Sequence, residues 1–127
     1  YLYSNMDYYE LTIPGVPRPK ARARIGPGKA TFYTPAATKA YERKVQLCAL
    51  AAKVKMLTDD LSLAVWIYFP DRRRRDCDNV LKTLMDALNG IAWKDDAQIG
   101  WAPGEIHVQK WVDPENPRVF MRWWNKK

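Results

Sequence analysis

The chain has 127 residues, which is enough for one compact domain and too few for two domains of ordinary size. Hydrophobic residues make up 47% of the sequence and aromatic residues 13%, so the composition excludes a generally disordered chain. Lysine and arginine outnumber aspartate and glutamate by 21 to 14, and the net charge of +7 favours nucleic acid or an anionic surface as the partner.

Nothing in the composition points to a membrane or an oxidising compartment. No run approaches the roughly 18 apolar residues of a membrane helix, and no signal-peptide pattern is present, so we expect a cytoplasmic protein with no membrane partner. Cys48 and Cys77 are too few, and wrongly spaced, for a zinc site or a disulfide framework. With Met6 as the native start, we place one domain at residues 6–127 and interpret residues 1–5 as an expression remnant or a disordered lead.

The N-terminal part predicts a strand, a basic segment and a helix. Residues 8–13 have strand-like composition and end at Pro14. Residues 14–30 hold four of the nine prolines and three of the six glycines, which excludes a helix there. The cations of this segment form either a solvated loop or an arm that follows a phosphate backbone. They are Arg18, Lys20, Arg22 and Arg24. Residues 34–57 then predict an amphipathic helix of about five turns, with Thr34 as its N-cap.

The rest of the chain predicts strands and one further helix. Residues 61–70 alternate in strand fashion with apolar groups on both faces, which indicates a strand inside a sheet. A second helix, capped by Asp78, is predicted over residues 78–89 and is followed by Gly90 in the left-handed conformation. The last two strands are predicted at 105–112 and 118–124. This order indicates a single α+β domain, in which a small mixed, largely antiparallel sheet packs with two main helices.

Four arginines run directly into two aspartates in the octapeptide RRRRDCDN (72–79). Asp76 and Asp78 are two residues apart, so their carboxylates point the same way in an extended approach to the helix. Hard oxygen ligands suit Mg²⁺, a helix N-terminus favours a phosphate, and Asp95 or Asp96 offers a third carboxylate. A calcium EF-hand is excluded because its glycine and its twelfth-position acid are missing. Two alternatives stay open at this point: phosphodiester chemistry at a metal ion, or a charge cluster without chemistry.

Three other features have plainer interpretations. Asp86 is interpreted as a surface partner of Lys82, which precedes it by four residues on the predicted helix. His107 is the one histidine, has no serine or second histidine beside it, and is expected on the polar side of a strand. The six tryptophans are expected mostly in the core or a dimer interface, with one or two available to stack on bases.

The segment PDRRRRDCDNVLKTLMDALNGIAWKDDAQI (70–99) resembles the signature of RusA-type Holliday junction resolvases. The match lies in the spacing D-x-D-N-x-x-K, then D-A-L, then D-D-x-Q-[IV]. The upstream stretch GVPRPKARAR…YTPAATKAYE also resembles the N-terminal pattern of one branch of that family. The resemblance therefore spans most of residues 15–100.

The resemblance implies a metal-dependent endodeoxyribonuclease with its site in this segment. Asp76 and Asp78 match the first two metal-binding acids of the family. Asp96 matches the third, with Asp95 as the neighbouring alternative, and Lys82 matches the catalytic lysine. The implied cofactor is Mg²⁺, for which Mn²⁺ can substitute.

The resemblance also implies the partners. The family acts as a homodimer that nicks opposite strands of a four-way DNA junction, occurs in bacteria, prophages and phages, and has no small-molecule substrate. We expect backbone phosphates to be held by the arm and the arginine run: Arg18, Lys20, Arg22, Arg24, Arg72, Arg73, Arg74 and Arg75. The alternatives are a nuclease for other branched DNA, such as flaps or forks, and a non-catalytic module that binds branched DNA.

Overall fold

A computed structural model of the chain describes residues 8–19, 24–25, 32–33, 36–99 and 105–125. Its strands and helices, in chain order, are β1 (Tyr8–Pro14), β2 (Arg24–Ile25), β3 (Phe32–Tyr33), α1 (Ala36–Ala51), β4 (Leu61–Phe69), α2 (Cys77–Leu88), β5 (Ile106–Val112) and β6 (Arg118–Asn125). A 3-10 turn, Asp96–Gln98, lies between α2 and β5. Each predicted strand and helix is present, with somewhat different bounds.

Four strands form the main sheet, in the order β1-β6-β4-β5. β6 pairs antiparallel with both β1 and β4, whereas β5 lies parallel to β4. The short strands β2 and β3 form a separate antiparallel pair. The predicted fold class, α+β with a mixed, largely antiparallel sheet and two main helices, is confirmed for the described part of the chain.

β4 lies inside the sheet, as its two apolar faces predict. Its odd-numbered residues, from Leu61 to Phe69, are buried in the core that the sheet shares with the helices. On the other face, Trp66 and Tyr68 are half-buried. Trp123 of β6 is paired with β4 and meets Trp93 edge to face, with 5.6 Å between ring centroids. Both of these rings are fully buried, so they anchor β6 and the segment after α2 to one core.

α1 is shorter than the predicted helix of residues 34–57, because a C-terminal cap ends it at Ala51. Lys53 adopts a left-handed conformation with φ of 58°. The amides of Lys53 and Val54 donate to the carbonyls of Leu50 and Ala49, at 3.1 Å each, which is the Schellman arrangement. Met56, which lies beyond this cap, is 42% exposed. The predicted cap Thr34 lies outside the described residues.

α2 begins at Cys77, and its N-cap is Asp76 rather than the predicted Asp78. Asp76 has extended backbone angles and its side chain accepts from two amides of the first turn, which are the properties of an N-cap. Asp78 therefore lies inside the first turn. At the other end, Gly90 has a φ of 83°, as predicted for the residue after the helix.

The fold brings the arginine run close to the ends of two parallel strands. The connection from β4 to α2, residues 70–76, starts at the carboxyl end of β4, and the parallel strand β5 ends beside it. Crevices at the carboxyl ends of parallel strands are common ligand sites. None of the helices in the described ranges is long and apolar enough to cross a membrane.

Candidate functional site

The arginine run between β4 and α2 is anchored at one end by Asp71. The Arg75 guanidinium donates to both carboxylate oxygens of Asp71, with Nη2 and Oδ2 at 3.3 Å, and lies 5.0 Å from the Phe69 ring centroid. The amide of Arg73 also donates to Asp71, at 2.9 Å. The hydrogen bonds from Arg75 and Arg73 lower the pKa of Asp71 to about 2, and the one from Arg75 also raises the pKa of the guanidinium. Asp71 thus fixes the end of the run next to α2.

The other three arginines of the run are exposed to solvent. The Arg73 side chain is 82% exposed, although its Nε lies 3.8 Å from Asp71. An exposed ion pair of this kind contributes little and is easily exchanged for a phosphate. The run therefore divides into a fixed Arg75 and three accessible cations: Arg72, Arg73 and Arg74. The sequence analysis missed Asp71, for which the spacing of four residues before Arg75 was the available signal.

Asp76 combines a structural role with an unused oxygen. Its Oδ1 accepts from the amides of Asp78 at 2.9 Å and Asn79 at 3.3 Å. Both bonds end on Oδ1, so the cap does not use Oδ2. The side chain is exposed and lies beside the partial positive charge of the helix N-terminus. The carboxylate of Asp76 is thus held in one orientation with one oxygen available to a ligand.

Asp78 and Lys82 are exposed on the first turns of α2. Their spacing of four residues places them one above the other on the helix surface. Asp86 follows after another four residues and is half-buried. The negative charge of Asp86 acts on Asp96, so the end of this stripe approaches the loop after α2.

The Asp95–Gln98 segment forms a tight capped turn near the start of β4. Asp95 accepts from the amide of Ala97 at 3.1 Å, and the Gln98 Oε1 accepts from the amides of Lys94 at 2.7 Å and Asp95 at 2.9 Å. The Gln98 Nε2 donates to the carbonyls of Leu57 and Asp59, at 2.9 Å each. Gln98, whose role the sequence analysis did not identify, therefore fixes the two aspartates relative to the sheet.

The two neighbouring carboxyls, Asp95 and Asp96, have opposite pKa shifts. A hydrogen bond with Asp95, partial burial, and the negative charges of Asp95 and Asp86 raise the pKa of Asp96. The pKa of Asp95 is lowered, first by the Ala97 amide and then by the hydrogen bond with Asp96. Negative charge is therefore concentrated at this loop, and a bound cation would relieve it.

The structure does not bring the three predicted metal ligands together within one chain. Asp76 and Asp78 lie at the N-terminal end of α2, whereas Asp96 lies near Asp86 in its C-terminal half. At a rise of 1.5 Å per residue, the helix separates Asp78 from Asp86 by roughly 12 Å. Among the residues that the structure describes, no group of three or more acidic, histidine or cysteine side chains could hold a metal ion. The described residues of one chain alone therefore do not form a site for the metal ion.

The remaining predicted residues are distributed as follows. Arg18 is exposed and lines a cavity of about 330 Å³ with Lys44 of α1. Lys20 and Arg22 lie outside the described residues, and Arg24 is described by its backbone in β2 alone. His107 is exposed on β5, as expected. The DNA-binding assignments of these arginines and lysines stay predictions.

The two cysteines are free thiols, as the sequence analysis expected. Cys77 lies between Asp76 and Asp78 and packs against the core. Burial raises the pKa of Cys77, and Lys110 of β5 is the cation whose charge opposes that shift. Lys110 is therefore close enough to the start of α2 to act electrostatically on it.

We expect Gln98→Ala to destabilise the fold by about 1–3 kcal/mol, because it removes the hydrogen bonds that join the Asp95–Gln98 segment to residues 57–59. Urea unfolding measures this loss. Gln98→Met is the matched control, since it keeps the length of the side chain and supplies neither the donor nor the acceptor, and it should be about as unstable as alanine. An alanine variant as stable as wild type contradicts the role assigned to Gln98.

Exposed arginines, a capped carboxylate and a helix-borne lysine beside the carboxyl ends of β4 and β5 suit a small α+β protein of the class that acts on nucleic-acid phosphates. A family model described as endodeoxyribonuclease RusA matches residues 14–122. The chain belongs to the RusA family of endodeoxyribonucleases.

Curated relatives with the same name match over most of the chain. A crossover junction endodeoxyribonuclease RusA from Aquifex aeolicus is 27% identical over 124 residues, covering 95% of this chain and 94% of its own length. The protein of that name from Escherichia coli strain K12 is 36% identical over 99 residues, covering 74% of this chain and 78% of its own. One from Enterobacteria phage 82 has the same identity and coverage.

Proposed function

We propose that the chain is a metal-dependent endodeoxyribonuclease that resolves four-way DNA junctions by paired symmetric nicks, in recombination and repair. The proposal is supported by family membership and by the names of the bacterial and phage relatives. The observation that carries it is the start of α2, where Asp76, Asp78 and Lys82 stand beside the exposed arginines of the β4–α2 connection. We place its action in the cytoplasm of a bacterial cell, as a chromosomal or prophage product.

We propose further that the active form is a homodimer in which each metal site is shared. Oxygen ligands bind Mg²⁺ at about 2.0–2.1 Å, so one ion cannot contact both ends of α2. If the two-fold axis is perpendicular to α2, the helix runs in the opposite direction in the partner, and Asp76 and Asp78 of one chain can then face Asp96 of the partner subunit, and the reverse. One symmetric arrangement then completes two sites, which matches the two incisions that a junction requires.

In such a dimer the ion would be held by Asp76, Asp78 and the partner's Asp96, with the partner's Asp95 as the alternative. All are hard oxygen donors, which suit Mg²⁺ or Mn²⁺. When bound, the ion would polarise the phosphate and lower the pKa of a bound water.

Lys82 and the arginines interact with the DNA phosphates. The Lys82 ammonium lies one helical turn beyond Asp78, where it stabilises negative charge on the reacting phosphate. The exposed arginines hold the flanking backbone phosphates, which binds DNA strongly at low salt and with little sequence content. Arg75 is held by Asp71, so it sets the path of the connection.

The experiment compares a four-way junction, a fork and linear duplex at equal concentration, with Mg²⁺ and with a chelator. We expect symmetric paired nicks on the junction, little cutting of the other two substrates, and none without metal. If forks are cut as well as junctions, the protein is a nuclease for branched DNA in general and not a resolvase. If the protein binds the junction tightly but shows no metal-dependent nicking of any substrate, it is a non-catalytic binding module.

A further inference from the structure

A cavity of about 440 Å³ lies at the carboxyl end of the edge strand β5, and of its lining residues only Arg72 has a part in the proposed function so far. It is lined by Arg72 from the β4–α2 connection and by Lys110, Trp111 and Val112 from β5. All four residues are exposed. The cavity is an open surface groove, lined by two cationic side chains and two apolar ones.

The polar side of this cavity is cationic. Arg72 and Lys110 contribute two positive charges, and no carboxylate is among the described residues that line it. The Lys110 Nζ lies 5.6 Å from the centroid of the Phe69 ring, which also carries the Arg75 guanidinium. Two cations that line one cavity, with no carboxylate among the described residues that line it, favour an anionic ligand group there.

The apolar side of the cavity is Trp111, which is unusual in its exposure. Trp93 and Trp123 are fully buried, whereas Trp111 is 51% exposed. The Trp111 Nε1 donates to the Oε1 of Gln109 at 3.2 Å, which restrains the ring on the surface. A restrained, exposed indole next to two cations has the composition of a surface on which nucleic-acid bases stack.

We propose that Arg72, Lys110 and Trp111 form a nucleotide subsite that takes one unpaired nucleotide of the DNA, with its phosphate between the two cations and its base stacked on the indole. The subsite rests on the proposed function for its location in a DNA complex. A base inside a regular duplex already has neighbours on both faces, so it can stack on Trp111 only after leaving the helix. The subsite therefore takes a nucleotide whose base pair opens at the branch point, and does not take one inside regular duplex.

The subsite lies close to the proposed metal ligands. Lys110 is paired with Ile67 of β4, near the strand end that leads into the arginine run. The Lys110 Nζ lies 5.6 Å from the centroid of the Phe69 ring, and the guanidinium of Arg75, which directly precedes Asp76, lies 5.0 Å from the same centroid. A nucleotide held by Lys110 is therefore a near neighbour of the phosphate to be cut, and the subsite selects where on a branch the cut falls.

Binding of a short oligothymidylate, in chelator and without cutting, tests the subsite directly. We expect Trp111→Ala to weaken binding about tenfold or more and Trp111→Phe to keep most of the affinity, because the ring is the stacking surface. Lys110→Ala and Arg72→Ala should each reduce the slope of log K against log salt by about 0.7. Lys55→Ala is the matched control, since Lys55 is exposed near the end of α1, away from the cavity, and should leave the slope as in wild type.

Three outcomes overturn the subsite. They are oligothymidylate affinity that survives Trp111→Ala, a salt slope that Lys110→Ala changes no more than Lys55→Ala does, and wild type that fails to bind oligothymidylate. A junction with 2-aminopurine at the branch gives a second reading, because stacking on Trp111 should quench its fluorescence in wild type but not in Trp111→Ala. Neither measurement requires nicking. If the protein cuts no DNA, the proposed function is refuted, and the subsite is still tested by these two binding measurements.

Discussion

Asp76→Asn is expected to reduce junction cutting by on the order of a hundredfold or more while leaving junction binding and the fold intact. The asparagine Oδ1 can accept the same two amides of Asp78 and Asn79, so the helix cap survives. The substitution removes the charged oxygen that the cap does not use and that we assign to the metal. Single-turnover cutting at saturating enzyme, with gel-shift binding in chelator, separates the two effects.

Asp76→Ala is the matched comparison, because it removes the metal ligand and the cap together. We expect the same loss of cutting as with asparagine, plus a loss of stability of about 1 kcal/mol. If Asp76→Asn cuts as well as wild type, the carboxylate is a cap alone and the metal assignment is wrong. If both variants lose cutting and stability in parallel, the loss belongs to the fold.

The second large effect is recovery of cutting when two inactive variants are mixed. Asp76→Asn and Asp96→Asn are each expected to be inactive as homodimers. After co-refolding in equal amounts, about half of the dimers are mixed. In a mixed dimer with shared sites, one site carries both substitutions and the other carries neither. We therefore expect single-strand nicking at about a quarter of the wild-type number of sites, without paired incisions.

The same mixture distinguishes a shared site from one built within a chain. If each site used its own chain's Asp76 and Asp96, every site in a mixed dimer would carry one substitution and cutting would stay absent. A mixture of Asp76→Asn with Asp78→Asn is the control, because both residues come from the same end of α2. That pair should show no recovery under either arrangement.

The local pattern of residues predicted much of the fold. Alternation in residues 61–70 and periodicity in α2 depend on neighbours along the chain, and both elements appear where expected. The helix cap was predicted two residues late, since Asp76 and Asp78 are equally good capping residues and the backbone angles of Asp76 decided between them. The end of α1 was missed because Lys53, not a glycine, adopts the left-handed conformation there.

The candidate site was less predictable because it depends on contacts between distant parts of the chain. The Gln98 side chain bonds to carbonyls 41 and 39 residues earlier, which no local pattern reveals. The spacing of Asp76 and Asp78 placed them together correctly at the start of α2. It could not place Asp96, whose position depends on α2 running back along β4 before the chain turns. Whether the three aspartates meet is therefore a question of tertiary and quaternary structure.

The length of α2 has a consequence for how the proposed activity would depend on concentration. If the site is shared between two chains, as we propose, a single chain holds only part of each site and would not cut. Cutting would then rise more steeply than protein level, roughly as its square at low abundance, where most chains are unpaired. Dilution would therefore reduce the cutting per chain as well as the number of chains.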